Sequence, residues 1–388
     1  MTFTVANIVS SFNSRSGGPP GTVNLIAAAG RGHWNAELFT TDFRESASDT
    51  LLFEEFPGKV HVLPAAAHGL RGGLGMMMGL DRGYRTRLIG ARSPDVMHIH
   101  GLWSPYLAAF ANTAIRHAIP YVVAPHGMLE KWSLRVRSMR KNWALKSYQG
   151  RILAHAACLH ATSPMEAESM RRLGLTAPIF VVPNPVSEPP EVGEPLDEPP
   201  TTDSNRVLLF LSRLHEKKGL DMLLAAWNDL RPPGWRLVIA GSGEPRYVEG
   251  LLRFREAHQI PNVEFVPHTE GLSRELLFKR ASAFVLPTYS ENFGNVVAEA
   301  LVRGLPVLTT TGTPWKDLVT HGCGWYIEPT LEALKTTLAE VVETDSKTLA
   351  RMGERGRAYA VSSFSLSAIR QEFLRMYQTA MRAGRQAA

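Results

Sequence analysis

Cysteine is almost missing from this chain. Cys158 and Cys323 are the only two among 388 residues, too few and too far apart for a disulfide framework or an all-cysteine zinc site, and both read as small buried hydrophobes. Long apolar runs are missing too. No stretch approaches the roughly 18 residues that a membrane-spanning helix needs, and Met1 to Asn7 lack the cationic start of a signal peptide, so the expected location is cytoplasmic. No repeat of solenoid period is present. Charged residues make up 20% of the sequence and apolar residues 44%, which excludes a disordered, collagen-like or coiled-coil chain and leaves an ordinary globular protein. A typical domain holds about 150 residues, so two domains are expected.

Charge is unevenly spread. Residues 1–186 hold 19 Lys+Arg against 11 Asp+Glu, and the remainder holds 23 against 25. The basic half suits an anionic partner such as phosphate, a membrane surface or nucleic acid. No recognised nucleic-acid module is present, so nucleic acid is not the expected partner.

Between Val186 and Asn205, five prolines and repeated acids leave little to bury, and residues 187–204 read as a linker. Before it, short apolar runs occur at Phe3 to Val9, Val60 to Leu63, Val96 to Ile99, Tyr121 to Ala124 and Ile179 to Val182. After it they recur at Val207 to Leu211, Trp235 to Ile239, Val263 to Val266, Ala283 to Leu286 and Pro306 to Thr309. Continuous apolar strands separated by helical stretches imply parallel sheets covered on both faces. The fold class is therefore α/β, with doubly wound domains over 1–186 and 205–364 and a carboxy-terminal helix over 365–388 that can return to the first domain. Ligands of such domains bind at the carboxyl ends of strands.

Three strand ends carry chemistry. The first leads through Ser11 to Gly21, a loop containing Gly17 and Gly18, into a helix. Glycines admit close backbone approach and the helix start attracts an anion. The spacing is neither G-x-G-x-x-G nor a P-loop, which disfavours a nicotinamide enzyme or a simple NTPase. The second is Ser212-Arg213-Leu214-His215-Glu216-Lys217-Lys218-Gly219, where Arg213 and Lys218 can hold a diphosphate without a metal, although a solvated basic loop would contain the same residues. The third, Pro287 to Ala300, places Glu291 on a loop and Glu299 just over one turn inside a helix opened by Gly294 or Asn295. Backbone N–H groups between the two carboxylates are free to meet a phosphate.

The segments SRLHEKKG and SENFGNVVAE, with the glycine-rich amino-terminal loop, together resemble the retaining GT-B glycosyltransferases of family 4 over nearly the whole chain. The resemblance implies two Rossmann-like domains facing across a cleft, with a nucleotide-sugar donor held chiefly by the second and an acceptor by the first. It implies that Arg213 and Lys218 neutralise the diphosphate, that Glu291 contacts the transferred sugar and Glu299 the ribose, and that the amides of Phe293, Gly294 and Asn295 cradle donor oxygens. It also assigns Gly241 and Gly243 to a loop near the nucleotide, Gly17 and Gly18 to ligand binding, and His126 of Ala124-Pro125-His126-Gly127 to the donor sugar. The activity implied is retaining transfer, of a hexose by expectation, to a hydroxyl of a glycan or lipid-linked saccharide in building cell-surface polysaccharide, lipopolysaccharide or exopolysaccharide. A sugar-nucleotide epimerase of the same architecture or a non-catalytic sugar-nucleotide-binding protein is the alternative.

Donor base and sugar stay open between UDP and GDP compounds. No cofactor beyond the donor substrate is expected, and no general base is assigned. His98 and His100 share a face if their strand reaches that far, yet no neighbouring carboxylate or cysteine completes a metal set; no metal is expected, and His100 is a candidate acceptor-side residue.

From Lys131 to Arg151 there are seven cations and no acid. On one helix, Trp132, Val136, Met139 and Trp143 form a stripe, with Leu134 and Leu145 opposite. One stripe can pack on the domain while the other, flanked by Lys131, Arg135, Arg140 and Lys146, meets an anionic membrane or lipid-linked acceptor. That reading adds peripheral contact with the inner face of the cytoplasmic membrane through 131–151; burial of both stripes between helices is the alternative.

Overall fold

Two all-parallel sheets organise the protein. The computed structural model describes residues 2–13, 18–43, 50–64, 93–136, 138–190 and 205–387. Met1–Pro185 together with Leu366–Ala388 forms one unit and Val186–Ser365 the other. Most of the expected linker, from residue 191 to 204, lies outside the described residues.

The first unit runs β1 (Phe3–Val9), α1 (Gly18–Ala29), β2 (Trp34–Thr41), β3 (Lys59–Leu63), β4 (Val96–His100), α2 (Pro105–Arg116), β5 (Tyr121–Ala124), α3 (Lys131–Arg135), α4 (Ser138–Ala144), α5 (Gly150–Ala154), β6 (Cys158–Ala161), α6 (Pro164–Arg172) and β7 (Ile179–Val181). Its strand order is β3-β2-β1-β4-β5-β6-β7. In the register, Asn7 of β1 lies beside His98 and Val9 beside His100. His100 lies in turn beside Ala124 of β5. Val123 pairs with Leu159, which sets His160 of β6 one position on, next to Ala124. Alternation puts Asn7, His98, His100, Ala124 and His160 on one face, where the small Ala124 leaves room between two imidazoles.

The second unit runs β8 (Arg206–Leu211), α7 (Leu220–Leu230), β9 (Trp235–Ala240), α8 (Pro245–Ala257), β10 (Val263–Val266), α9 (Gly271–Arg280), β11 (Ala283–Leu286), α10 (Asn295–Val302), β12 (Val307–Thr310), α11 (Asp317–Thr320), β13 (Gly324–Ile327), α12 (Leu331–Glu343) and α13 (Ser346–Phe364). Its order is β10-β9-β8-β11-β12-β13. Each sheet reverses direction of winding once, at β1/β4 and at β8/β11, and such switch points form the crevices where doubly wound domains take ligands.

A last helix, α14 (Leu366–Ala387), belongs to the first unit. Its apolar positions Ile369, Phe373, Met376, Tyr377 and Ala380 recur every three or four residues and join Val5, Val96, Val122 and Cys158 in one core, the pattern of a helix burying one stripe.

The basic segment differs from the single helix that its spacing predicts. It breaks at Val136, whose backbone is extended, and resumes as α4, a π-helical turn over Leu145–Gln149, and α5. Leu134, Leu145 and Tyr148 pack against the first unit's core, whereas Val136, Met139 and Trp143 stay 55%, 85% and 69% exposed. One side therefore packs and the other faces outward, but through two short helices instead of one continuous stripe.

Candidate active site

In the second unit, the chain leaves β8 through Arg213 and makes a 3-10 turn over Glu216–Lys218 before α7. Gly219, at φ +68°, joins the turn to the helix, and a side chain there would stand 2.2 Å from the Pro287 carbonyl oxygen. Only glycine satisfies both demands. This close approach presses the basic turn against the loop after β11, and hydrogen bonds stitch the two together. The Tyr289 N–H donates to the Lys217 carbonyl at 2.8 Å, and the Thr288 hydroxyl lies 2.9 Å from that carbonyl and 3.2 Å from Glu291 Oε1. The Glu291 N–H in turn donates to the Gly312 carbonyl at 2.7 Å.

So anchored, Lys218 Nζ pairs with Glu291 Oε1, with the side chains only 12% and 13% exposed. Burial pushes the Glu291 carboxyl up, but the charges of Lys218 and Lys217 and hydrogen bonds from Lys218 and Thr288 outweigh it, holding the group below its ordinary value. The result is a fixed carboxylate and ammonium at the β8/β11 switch point. Arg213 is exposed and makes no ion pair or hydrogen bond with any described residue, leaving its five donors open to an anion.

Beyond Glu291, Gly294 caps α10 with φ +76°. The Trp315 indole N–H donates to the Phe293 carbonyl at 2.6 Å, which fixes the peptide entering the helix. The first N–H groups of such a helix have no intrahelical acceptor and carry the positive end of its dipole. Glu299 sits in the second turn, paired with Arg274 of α9. Arg303 ties the same helices together, donating to the Glu299 carbonyl at 2.8 Å and clasping Glu275 through two bonds of 2.7 and 2.6 Å.

In the first unit, β5 ends at a turn where His126 (φ +52°) and Gly127 (φ +75°) are both left-handed. A left-handed conformation is costly for histidine, and a buried carboxylate holds it. Glu166 Oε1 accepts from the Gly127 N–H at 2.6 Å, and Oε2 accepts from the Thr162 N–H at 2.8 Å and hydroxyl at 3.0 Å. Burial pushes this carboxyl up to about 7 despite those donors. Half-buried His126 also meets His100, whose Nδ1 lies 3.0 Å from His126 Nε2.

Comparison with known proteins then decides the family. Residues 16–185 match the glycosyl transferase 4-like domain, and residues 196–359 match the glycosyl transferases group 1 domain. The chain belongs to the group 1, family 4-like glycosyltransferases. An uncharacterized glycosyltransferase of Haemophilus influenzae is 36% identical over 121 residues, which cover 30% of this chain and 33% of that protein. The capsular polysaccharide biosynthesis glycosyltransferase CapM of Staphylococcus aureus is 28% identical over 182 residues, 46% of this chain and 47% of CapM. The matches thus span a third to about half of the length of these curated relatives. HepE of Anabaena, solved with UDP-glucose, shares the fold with a TM-score of 0.73 at 20% identity, over 97% of this chain and 100% of that one. Sucrose-phosphate synthase of Thermosynechococcus elongatus does so with a TM-score of 0.73 at 18% identity, over 98% and 100%. The architecture is GT-B.

Within this glycosyltransferase, the residues singled out from sequence fall into separate settings. Lys218 and Glu291 meet directly, and Phe293, Gly294 and Asn295 form the start of α10 beside them. Gly241 and Gly243 have a reason in backbone packing: added side chains would stand 1.9 Å from the Ser212 carbonyl oxygen and 2.0 Å from that of Leu214. Gly18 is the exposed first residue of α1, and Gly17 lies outside the described residues. Sequence reasoning missed Thr288, Tyr289, Arg274, Asn7 and Glu166. For Glu166 a signal existed, since Ser163-Pro164-Met165-Glu166 has capping-box spacing. Ser163 does cap α6, accepting from the Glu166 N–H at 3.2 Å, while the carboxylate reaches past it to the His126 turn.

Proposed function

We propose that this glycosyltransferase moves a sugar from a nucleotide-diphosphate sugar to a hydroxyl of a glycan or lipid-linked saccharide, with retention of anomeric configuration, in building cell-surface polysaccharide. One observation carries the reading: an ion-paired Lys218–Glu291 unit and the start of α10 meet at one switch point, where the chain leaves β8 through the open Arg213. Departure of a nucleoside diphosphate develops negative charge, and fixed cations and oriented N–H dipoles aimed at that charge stabilise it without reorganising. Glu291, kept ionised, accepts hydroxyls of the sugar, and Glu299 those of the ribose. The UDP-glucose bound in the HepE structure and the capsular role in CapM's name support the substrate class.

The two glutamates separate the steps. Glu299→Gln is expected to weaken UDP or GDP binding about tenfold, the scale for one charged hydrogen bond, while Glu291→Gln mainly lowers kcat. Calorimetric titration showing Glu299→Gln binding both nucleotides as tightly as the parent removes the ribose role.

The acceptor side of the proposal is peripheral contact with an anionic membrane. Exposed Val136, Met139 and Trp143 are bordered by exposed Lys131, Arg135, Arg140 and Lys146, an apolar centre with a cationic rim suited to lipid headgroups. No helix among the described residues is long and apolar enough to cross a membrane, so the contact is at the surface. Sedimentation with phosphatidylglycerol vesicles at low salt should carry down the parent protein and release it as salt rises. Joint replacement Met139→Ser and Trp143→Ser should leave it in the supernatant; equal recovery of both proteins there excludes this patch.

A further inference from the structure

The imidazoles of the first unit form two hydrogen-bond chains whose proton positions follow from their ends. One chain ends on the Val182 carbonyl, which only accepts, 2.8 Å from His160 Nε2. That nitrogen therefore carries the proton, and His160 Nδ1 is a lone pair that accepts from His98 Nε2 at 3.2 Å. His98 Nδ1 is then also a lone pair, taking the Tyr377 hydroxyl of α14 at 3.0 Å.

The other chain ends on the Glu37 carbonyl of β2, 3.3 Å from Asn7 Nδ2. This end orients the amide, so Asn7 turns its oxygen to His100 Nε2 at 3.3 Å. His100 consequently carries its proton on Nε2 and offers the lone pair of Nδ1 to His126 Nε2, 3.0 Å away. His126 must donate there, and its own Nδ1 is left as a bare acceptor bonded to no described residue. Burial keeps these rings neutral, holding His98 and His100 well below 6.5 and pushing His126 down to about 3, with the neighbouring histidines adding to the effect. In the neutral ring one nitrogen donates and the other accepts, so fixing one fixes both.

We propose that Asn7 and His100 are positioning residues that lock His126 in the Nε2–H tautomer and so present its Nδ1 as an acceptor for a hydroxyl of the bound sugar. The inference rests on the reading of His126 as a sugar contact at the carboxyl end of β5, and it adds the polarity of that contact. A sugar hydroxyl can donate to Nδ1; a deoxy or fluoro position cannot. Neither Asn7 nor His100 needs to touch the ligand.

The test uses the full chain labelled with 15N in histidine, because two-bond 15N–1H spectra show which ring nitrogen of each histidine carries its proton. His126 is expected as the Nε2–H form in the parent. His100→Leu removes the acceptor and Asn7→Ala removes the far anchor, and both should give a mixture of His126 tautomers. His100→Asn keeps an acceptor oxygen near the place of Nδ1 and should restore the parent form. Unchanged tautomers of His98 and His160 report an intact fold in each variant. With UDP-glucose and GDP-mannose as probes, kcat/KM should fall about tenfold in His100→Leu, the scale of one hydrogen bond, and recover in His100→Asn. Nδ1–H in the parent overturns the proposal, as does a tautomer unmoved by His100→Leu or a shifted tautomer with unchanged kcat/KM. The tautomers are read in the free protein. Absence of turnover of either sugar nucleotide by the parent therefore counts against the transfer reading and leaves the lock to be judged from the spectra.

Discussion

Arg213→Ala is expected to lower turnover on the order of a hundredfold or more, the scale for removing a donor to transition-state charge, with no loss of stability. Stability is kept because Arg213 is exposed and makes no ion pair or hydrogen bond with a described residue, so its removal strands no buried partner in the free protein. Lys218→Ala should lower turnover as much and also destabilise the second unit. Its partner Glu291 is 13% exposed, and deleting one member of a buried pair strands the other charge, at a cost of about 3–5 kcal/mol. If both cations act on one diphosphate, the double variant loses less than the product of the single effects. Steady-state rates alongside urea unfolding of the second unit would separate the cases. Near-normal turnover in folded Arg213→Ala removes the diphosphate role from that residue.

Lowering the pH from 7.5 to 5.5 should destabilise the first unit by about 4 kcal/mol. His98, His100 and His160 are fully buried, and burial, with neighbouring imidazoles for His98 and His100, lowers their pKa values; His160 comes down to about 4. Their folded values lie below the unfolded value of about 6.5, so between the two the unfolded chain binds more protons. The stabilisation is therefore complete above pH 6.5 and is lost as pH falls through that window toward the folded values. Each such group forfeits about 1.4 kcal/mol over the first unit below 6.5, and three act together. Glu166 works in the opposite sense, since burial raises it to about 7: its contribution is present at low pH and lost as pH rises through about 7, so acidification returns about 2 kcal/mol through it, while His126, held down to about 3, forfeits about 1.4 kcal/mol more and leaves the net near 4 kcal/mol. Hydrogen exchange read segment by segment, corrected for intrinsic rates, should show protection falling in β4, β5, β6 and α14 with no matching change in β8 and β11. Equal protection of the first unit at both pH values would contradict the neutral-histidine core.

The parallel sheets were legible because β8 and β11 are continuous apolar runs, as strands buried on both faces must be. β2 was not, because Asn35 and Glu37 interrupt its pattern, and neither were β6 and β13, four residues each, with His160 in one and Gly324 opening the other. The Lys218–Glu291 pair was legible because each residue lies a few positions past the end of β8 or β11. Partners supplied by tertiary packing were not. Arg274 reaches Glu299 from 25 residues away, and Asn7 reaches His100 from 93 residues away through the β1–β4 register. Even within 131–151, spacing identified which side packs and which is exposed but not the break at Val136, since Val136 fits the helical stripe and only its extended backbone interrupts it.

Transfer from a nucleotide sugar is read out by following a panel of UDP- and GDP-hexoses by thermal shift and by release of nucleoside diphosphate. A donor that binds only the native protein raises its apparent stability. At least one member of the panel should stabilise the parent protein and release UDP or GDP, with the release abolished in the Arg213→Ala, Lys218→Ala double variant. A panel in which no sugar nucleotide shifts the melting temperature or yields a nucleoside diphosphate would contradict it.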